Sequence, residues 1–335
     1  MGLHRTGHRA LWALVTITLI ATACGSSSGG GTTAKPAFLG TYPGIDPAEE
    51  QIKIGFLQAG TDFGVTAIFR TPPTFDVSQQ YNVTQTGLSY PNLKGVAVVA
   101  ADPNGLEGVM KLAKGQGLVL AQAAGCAPTT TAPICFDANT TALGMKAGKS
   151  LAPLMGGSGD VVVAMGPLGD QNNATRLKGF TDYLAQNDPN IHVVQVIYDC
   201  NAVDKATTCA QNALAAHPNM KAYYLNGNPA DGLSVFTAAG KHIIAADLDS
   251  APTTLAAIKS GAMAFTLVQP LKCDGYLMLL SLYLQAVKHQ ASTQRYYDLG
   301  STYIDSSSVD TVPASQQATC DGLVKDYETN VFKPA

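Results

Sequence analysis

The sequence predicts an α/β protein built from two doubly wound parallel-sheet lobes, and three observations predict it. From Gln51 onward, short apolar strands alternate with amphipathic stretches, the sequence sign of a parallel sheet covered on both faces. Several strands run directly into polar loops: Val161–Met165 into Gly-Pro-Leu-Gly-Asp-Gln-Asn-Asn, Ala222–Leu225 into Asn226-Gly-Asn-Pro, Ile243–Ala246 into Asp247-Leu-Asp249, and Phe265–Val268 into Gln269-Pro270. Open α/β sheets hold their ligands at such carboxyl ends. The roughly 310 residues that follow the N-terminal signal suffice for two lobes of ordinary domain size.

The chain begins with an export signal. His4, Arg5, His8 and Arg9 form a basic start, Ala10–Ile20 an apolar core, and Ala21-Thr-Ala-Cys24 a small-residue cleavage site. The apolar run falls short of the roughly 20 residues a membrane span needs. The segment resembles a bacterial lipoprotein signal, which implies a lipid on Cys24 and an extracytoplasmic protein anchored to the outer face of the cell membrane. It departs from that pattern in carrying Ala21, not Leu, three residues before the cysteine; an ordinary cleaved signal is the alternative. Residues 25–50 read as a flexible tether, their first part rich in Gly, Ser and Thr.

Strand candidates follow in order at Ile52–Leu57, Val65–Phe69, Val96–Ala100, Leu118–Ala121, Val161–Met165, Val193–Tyr198, Ala222–Leu225, Ile243–Ala246 and Phe265–Val268. Helical stretches lie at Gly105–Lys114, Thr141–Met155, Ala174–Gln186, Ala206–Ala216 and Leu271–Lys288. In the first of these, Leu106, Val109, Met110 and Leu112 recur at helical spacing and read as core.

One unit breaks the pattern. Only seven residues, Gln58–Gly64, separate Leu57 from Val65, whereas a parallel crossover takes about a dozen or more. The first helix therefore reads as missing, leaving Val65–Phe69 antiparallel, irregular, or joined by a stretched linker over a bare sheet face.

Cysteines support export. Apart from Cys24 there are six, and Cys126 with Cys135 and Cys200 with Cys209 each bracket loop-like sequence. The expected disulfides are Cys126–Cys135, Cys200–Cys209 and Cys273–Cys320, the last pinning the C-terminal tail. A metal site is not expected, for there is no CxxC spacing and there are no histidine partners.

The stretch from Ile52 to about Gln290 resembles the sugar-type periplasmic binding proteins of ABC importers, the group that includes ribose receptors. The resemblance rests on Val96-Ala-Val-Val-Ala-Ala-Asp-Pro103, Asn172-Asn-Ala-Thr-Arg-Leu-Lys-Gly-Phe180, Asn226-Gly-Asn-Pro-Ala-Asp-Gly232, Ala246-Asp-Leu-Asp249 and Thr266-Leu-Val-Gln-Pro270, in that order. It implies a type I periplasmic-binding fold, with lobes joined by a three-segment hinge and a ligand in the cleft between them. The implied N-terminal lobe is 51–138 plus 270–292 and the C-terminal lobe 139–269, with 293–335 packed on both. By position, Arg176, Asn226, Asp247 and Gln269 would grip a carbohydrate-like ligand, with Gln122, Asn173 and Asp62 completing the set. Gln122 stands where the family carries an Asp or an Asp-Arg pair. Other roles are open to these residues: Arg176 could pair with Asp182, Asn226 and Asn228 could form turns, and Asp247 or Asp249 could cap the helix near Pro252.

The implied partners are an ABC permease and, through the lipid, the membrane. Loss of Arg5 and Arg9 with the signal leaves 19 basic against 24 acidic residues, a poor footprint for nucleic acid. No G-x-S-x-G elbow, H-E-x-x-H pair or P-loop is present, so neither an enzyme nor a cofactor is expected. A sensing or scaffold lipoprotein that has lost transport is the alternative function.

Overall fold

The computed structural model describes residues 34–126 and 130–335; the expected signal, Cys24 and residues 25–33 of the expected tether lie outside them. The first lobe opens with β1 (Ala37–Thr41), α1 (Pro47–Asp62), β2 (Thr66–Arg70), α2 (Val77–Gly87), β3 (Leu93–Val99), α3 (Pro103–Gly115), β4 (Val119–Ala123) and β5 (Cys135–Asp137). β1 lies in the middle of the sheet, parallel to β2 on one side and β3 on the other.

This corrects the start of the sequence reading. Ile52–Leu57 is helical, and the strand it was expected to form is Ala37–Thr41, inside the supposed tether. The first helix is not missing: α1 makes the crossover from β1 to β2. A short apolar run cannot be assigned to helix or strand from periodicity alone, but the flanks of this one carry helix signals. Asp46 accepts a hydrogen bond from the Glu49 amide, Pro47 starts the helix, and Glu49 and Glu50 sit in its first turn. Ile52, Phe56 and Ala59 are buried at helical spacing. β1 hides from alternation because both its faces are covered: Phe38 enters one core layer and Leu39 the other.

The second lobe comprises α4 (Thr140–Leu154), β6 (Gly159–Ala164), α5 (Gln171–Asn187), β7 (Ile191–Ile197), α6 (Val203–Ala216), β8 (Ala222–Leu225), α7 (Ser234–Ala238), β9 (Ile244–Leu248), α8 (Pro252–Lys259) and β10 (Phe265–Val268). The adjacent Tyr223 and Tyr224 point to opposite faces and both pack in core. The chain then returns through α9 (Leu271–Ala286), β11 (Gln290–Ser292), β12 (Tyr296–Asp298), β13 (Thr302–Asp305), α10 (Val312–Asp326) and β14 (Phe332–Pro334).

The two six-stranded sheets have the orders β12-β5-β4-β3-β1-β2 and β13-β10-β9-β8-β6-β7. All their pairings are parallel except β10 with β13. Residues 293–335 are thus more than a packed extension, for they supply an edge strand to each sheet, and Tyr327, Val331 and Phe332 enter the first lobe's core. Three connections pass between the sheets, at Ala138–Asn139, Gln269–Pro270 and Leu299–Ser301. The fold is α/β with two parallel-sheet lobes. All three expected disulfides form, and Cys273–Cys320 ties α10 to α9.

Candidate functional site

The carboxyl ends of strands from both sheets face one another across a cleft. β1 leads to Tyr42 and Asp46, β5 ends on Asp137, and the hinge after β10 brings in Gln269 and Asp274. From the second lobe, the β6–α5 loop and first turns supply Asp170, Asn172, Asn173 and Arg176, while β8 and β9 lead to Asn226, Asn228 and Asp249. Phe75 is a further aromatic wall, and the space enclosed is about 90 Å³.

The side chains form a connected polar network. Arg176 Nη2 donates to Gln269 Oε1 at 3.5 Å, and Gln269 Nε2 donates to Asp249 Oδ1 at 2.7 Å. Asn226 Nδ2 donates to Asn173 Oδ1 at 3.2 Å, while Asn226 Oδ1 accepts from Tyr224 at 3.3 Å. Asn228 Nδ2 donates to the Ala164 carbonyl at 2.8 Å. Three atoms in the lining are buried with no partner: Arg176 Nε, Asn228 Oδ1 and Asp274 Oδ1. Buried polar atoms normally have partners, so one donor and two acceptors stand ready for a guest.

Electrostatically the cleft is acidic. Burial raises Asp46 and Asp137 to about 6, the amide of Glu49 restraining the first and the Arg176 guanidinium the second. Asp170 and Asp249 are raised by burial and held back by Arg176. Asp274 goes well above the ordinary carboxylate range, through burial and then the charge of Asp137.

Of the seven residues the sequence marked, the structure brings together Arg176, Asn173, Asn226 and Gln269 and leaves three elsewhere. Asp247 is buried beside the cleft, lining an adjoining space of about 270 Å³, and accepts from the Gly227 and Leu248 amides and from Thr254 in the first turn of α8. It fixes the β8 loop and anchors α8, and Asp249 lines the cleft in its place. Gln122 is turned inward, donating to the Gly125 carbonyl at 2.9 Å and accepting from Thr130. Asp62 ends α1 and bonds Gln58 in a groove of about 730 Å³ between α1, α9 and α10. That groove is the larger cavity, yet no strand end opens into it, and its lysines and acids are interspersed. Arg176 does not pair with Asp182, which takes Lys178.

Sequence reasoning missed Tyr42, Asp46, Asp137, Asp170 and Asp274. The first two vanished with β1, although the Asp46-Pro47 helix start was legible. Asp170 carried an N-cap signal before Gln171, whereas Asp137 and Asp274 carried none that sequence spacing could show.

Residues 37–290 match the family model described as periplasmic binding protein domain. No curated protein matches the chain. Among solved structures, the chain resembles a solute-binding protein of an ABC transporter from Burkholderia graminis, in complex with D-arabinose, at 21% identity over 82% of this chain and 96% of that one, with a TM-score of 0.76. A solute-binding protein from Agrobacterium vitis bound with alpha-D-tagatopyranose gives 21%, 84%, 98% and 0.75. GanP, a glucose-galactose binding protein from Geobacillus stearothermophilus, gives 17%, 82%, 98% and 0.73. At such identities the likeness establishes a shared fold.

Proposed function

This chain belongs to the periplasmic binding protein family, and from that premise we propose that it captures a small polyhydroxylated solute (a sugar, polyol or related molecule) and delivers it to an ABC permease. It is a binding protein and not an enzyme, from a family that works outside the cytoplasm. The observation that carries the reading is the convergence of Arg176, Asn173, Asn226 and Gln269 on one cleft, with Arg176 Nε and Asn228 Oδ1 buried and unmet. The guanidinium fork suits vicinal hydroxyls, and amide side chains both donate and accept. A space of about 90 Å³ with an adjoining one of about 270 Å³ lies near the lower end of the roughly 300–1,000 Å³ of drug-sized pockets and suits a small guest. Tyr42 and Phe75 provide ring surfaces against its apolar faces.

We further assign the anchor to a lipid on Cys24, with the glycine- and serine-rich residues after it as leash. The sensing or scaffold alternative drew on a missing first helix and on the lack of an Asp near Gln122, and α1 removes the first of these supports.

The test is a thermal-shift and calorimetric screen of the mature protein against aldoses, ketoses and polyols. A member of the panel should bind at micromolar affinity or better and raise the melting temperature by mass action. A complete absence of binders would overturn the assignment. Mass spectrometry of the membrane fraction should find diacylglyceryl on Cys24, and Cys24→Ser should release the protein.

A further inference from the structure

Five carboxylates line the cleft, Asp46, Asp137, Asp170, Asp249 and Asp274, against the single guanidinium of Arg176; neither lysine nor histidine joins it. Three of the five already have partners. Asp46 caps α1 and accepts from Tyr42, Asp170 caps α5, and Asp249 accepts from Gln269. That leaves Asp137, whose Oδ1 accepts only its neighbour's amide, from Ala138, and Asp274, which is 6% exposed and whose Oδ1 is buried with no partner at all.

We propose that the guest carries a protonated amine as well as hydroxyls, an amino sugar or amino polyol, with its ammonium group seated between Asp137 and Asp274. This deepens the reading of the cleft as the capture site and rests on it. Burial and the charge of Asp137 keep a proton on Asp274 in the ligand-free protein; an amine takes up that proton and becomes the counter-ion of the carboxylate left behind, which a hydroxyl cannot do. An ammonium supplies three donors, no acceptor and the missing charge. Both carboxylates line the one cleft, and the charge of Asp137 adds to burial in raising Asp274. Arg176 moderates Asp137 and is not among the influences on Asp274. A metal ion is a poor occupant, for no group of three or more His, Cys, Asp or Glu among the described residues is arranged to hold one. The second orphaned acceptor, Asn228 Oδ1, takes a hydroxyl of the same guest.

Calorimetry of the mature protein at pH 7.5 against matched pairs tests this: D-glucose with D-glucosamine, D-galactose with D-galactosamine, D-sorbitol with D-glucamine. The amino member of at least one pair should bind at least tenfold tighter than its neutral partner. Asp274→Asn, which keeps the shape and removes the charge, should collapse that ratio; if it fails to fold, Asp137→Asn gives the same readout. Neutral members binding as well as or better than their amines overturns the amine seat while sugar capture stands. Binding by no amino member of any pair overturns the amine seat, while sugar capture stands or falls with the wider panel of aldoses, ketoses and polyols. An amine preference that survives both substitutions overturns the placement of the ammonium.

Discussion

Arg176 leaves the second turn of α5 with Nη2 on Gln269 and Nε unpartnered in the cleft. Its removal should cost the ligand two charge-assisted hydrogen bonds at about 1.5–3 kcal/mol each, on the order of a hundredfold or more in affinity. Since the guanidinium packs in no apolar cluster, Arg176→Ala should melt within a few degrees of the wild type; calorimetry and thermal melting check the pair of outcomes. Asp137 gives a pH signature. Its folded value, raised from 3.8 to about 6, favours the folded state at low pH. That stabilisation, worth about 3 kcal/mol, is complete below pH 3.8 and lost as pH rises through 6. Ligand-free wild type should therefore lose stability between pH 4 and 7 by more than Asp137→Asn does, as melting curves across that range would register. The groups facing Asp137 are Arg176, Asp170, Asp274, Asp298 and Tyr296.

Each lobe clamps its ligand-bearing elements with a helix pair that crosses through glycine. α1 meets α9 where a Cβ on Gly55 would strike the Lys272 carbonyl and one on Gly275 the Ile52 carbonyl. α4 meets α5 the same way, Gly144 against the Arg176 carbonyl and Gly179 against that of Thr141. Gly144→Ala should push α5 outward at the very residue that carries the fork. It should weaken binding and lower stability by about 1–3 kcal/mol, the usual cost of overpacking, read by denaturant titration alongside calorimetry. The disulfides act at this scale too. In the chain-entropy picture Cys273–Cys320, 47 residues apart, contributes about 4 kcal/mol and each nine-residue bridge about 2.6. Cys320→Ser should accordingly lower the melting temperature more than Cys209→Ser, and reductant should lower it for the wild type by at least as much.

Across the whole molecule, the lobes are latched together by the start of α5. Asn172 Oδ1 accepts from the Gly125 amide at 2.8 Å and its Nδ2 donates to the Ala100 carbonyl at 3.3 Å. The Gln171 amide donates to Ala101 at 3.0 Å and its side chain to Asp102 at 2.9 Å. These four bonds join the second lobe to the ends of β3 and β4 in the first and should hold the two lobes together over a bound ligand. Asn172→Ala forfeits two of them, about 2 kcal/mol, and should shorten ligand residence roughly thirtyfold while leaving association nearly unchanged. Stopped-flow dissociation measures it, and an unaltered off-rate would mean that the latch does not hold the closed state.

Sequence alone determined the two parallel-sheet lobes, the strands of the second lobe that precede α9 and the disulfide partners. Those features are written in local periodicity, in turn chemistry and in spacings of a few residues. It also marked Arg176, Asn173, Asn226 and Gln269, through the resemblance of their motifs to sugar-type binding proteins, and these four line the one cleft. It misread the entry to the first lobe, where Ala37–Thr41 is strand and Ile52–Leu57 helix; both are short apolar runs, and only their packing partners distinguish them. Tertiary structure alone decided that Asp249 and not Asp247 reaches the cleft, since a neighbouring Thr254 captures the latter. It alone brought Asp137 and Asp274 together, two carboxylates 137 residues apart in the chain that meet only when the hinge folds back on the first sheet. Separation along the chain carries no trace of such meetings, because charge acts through space.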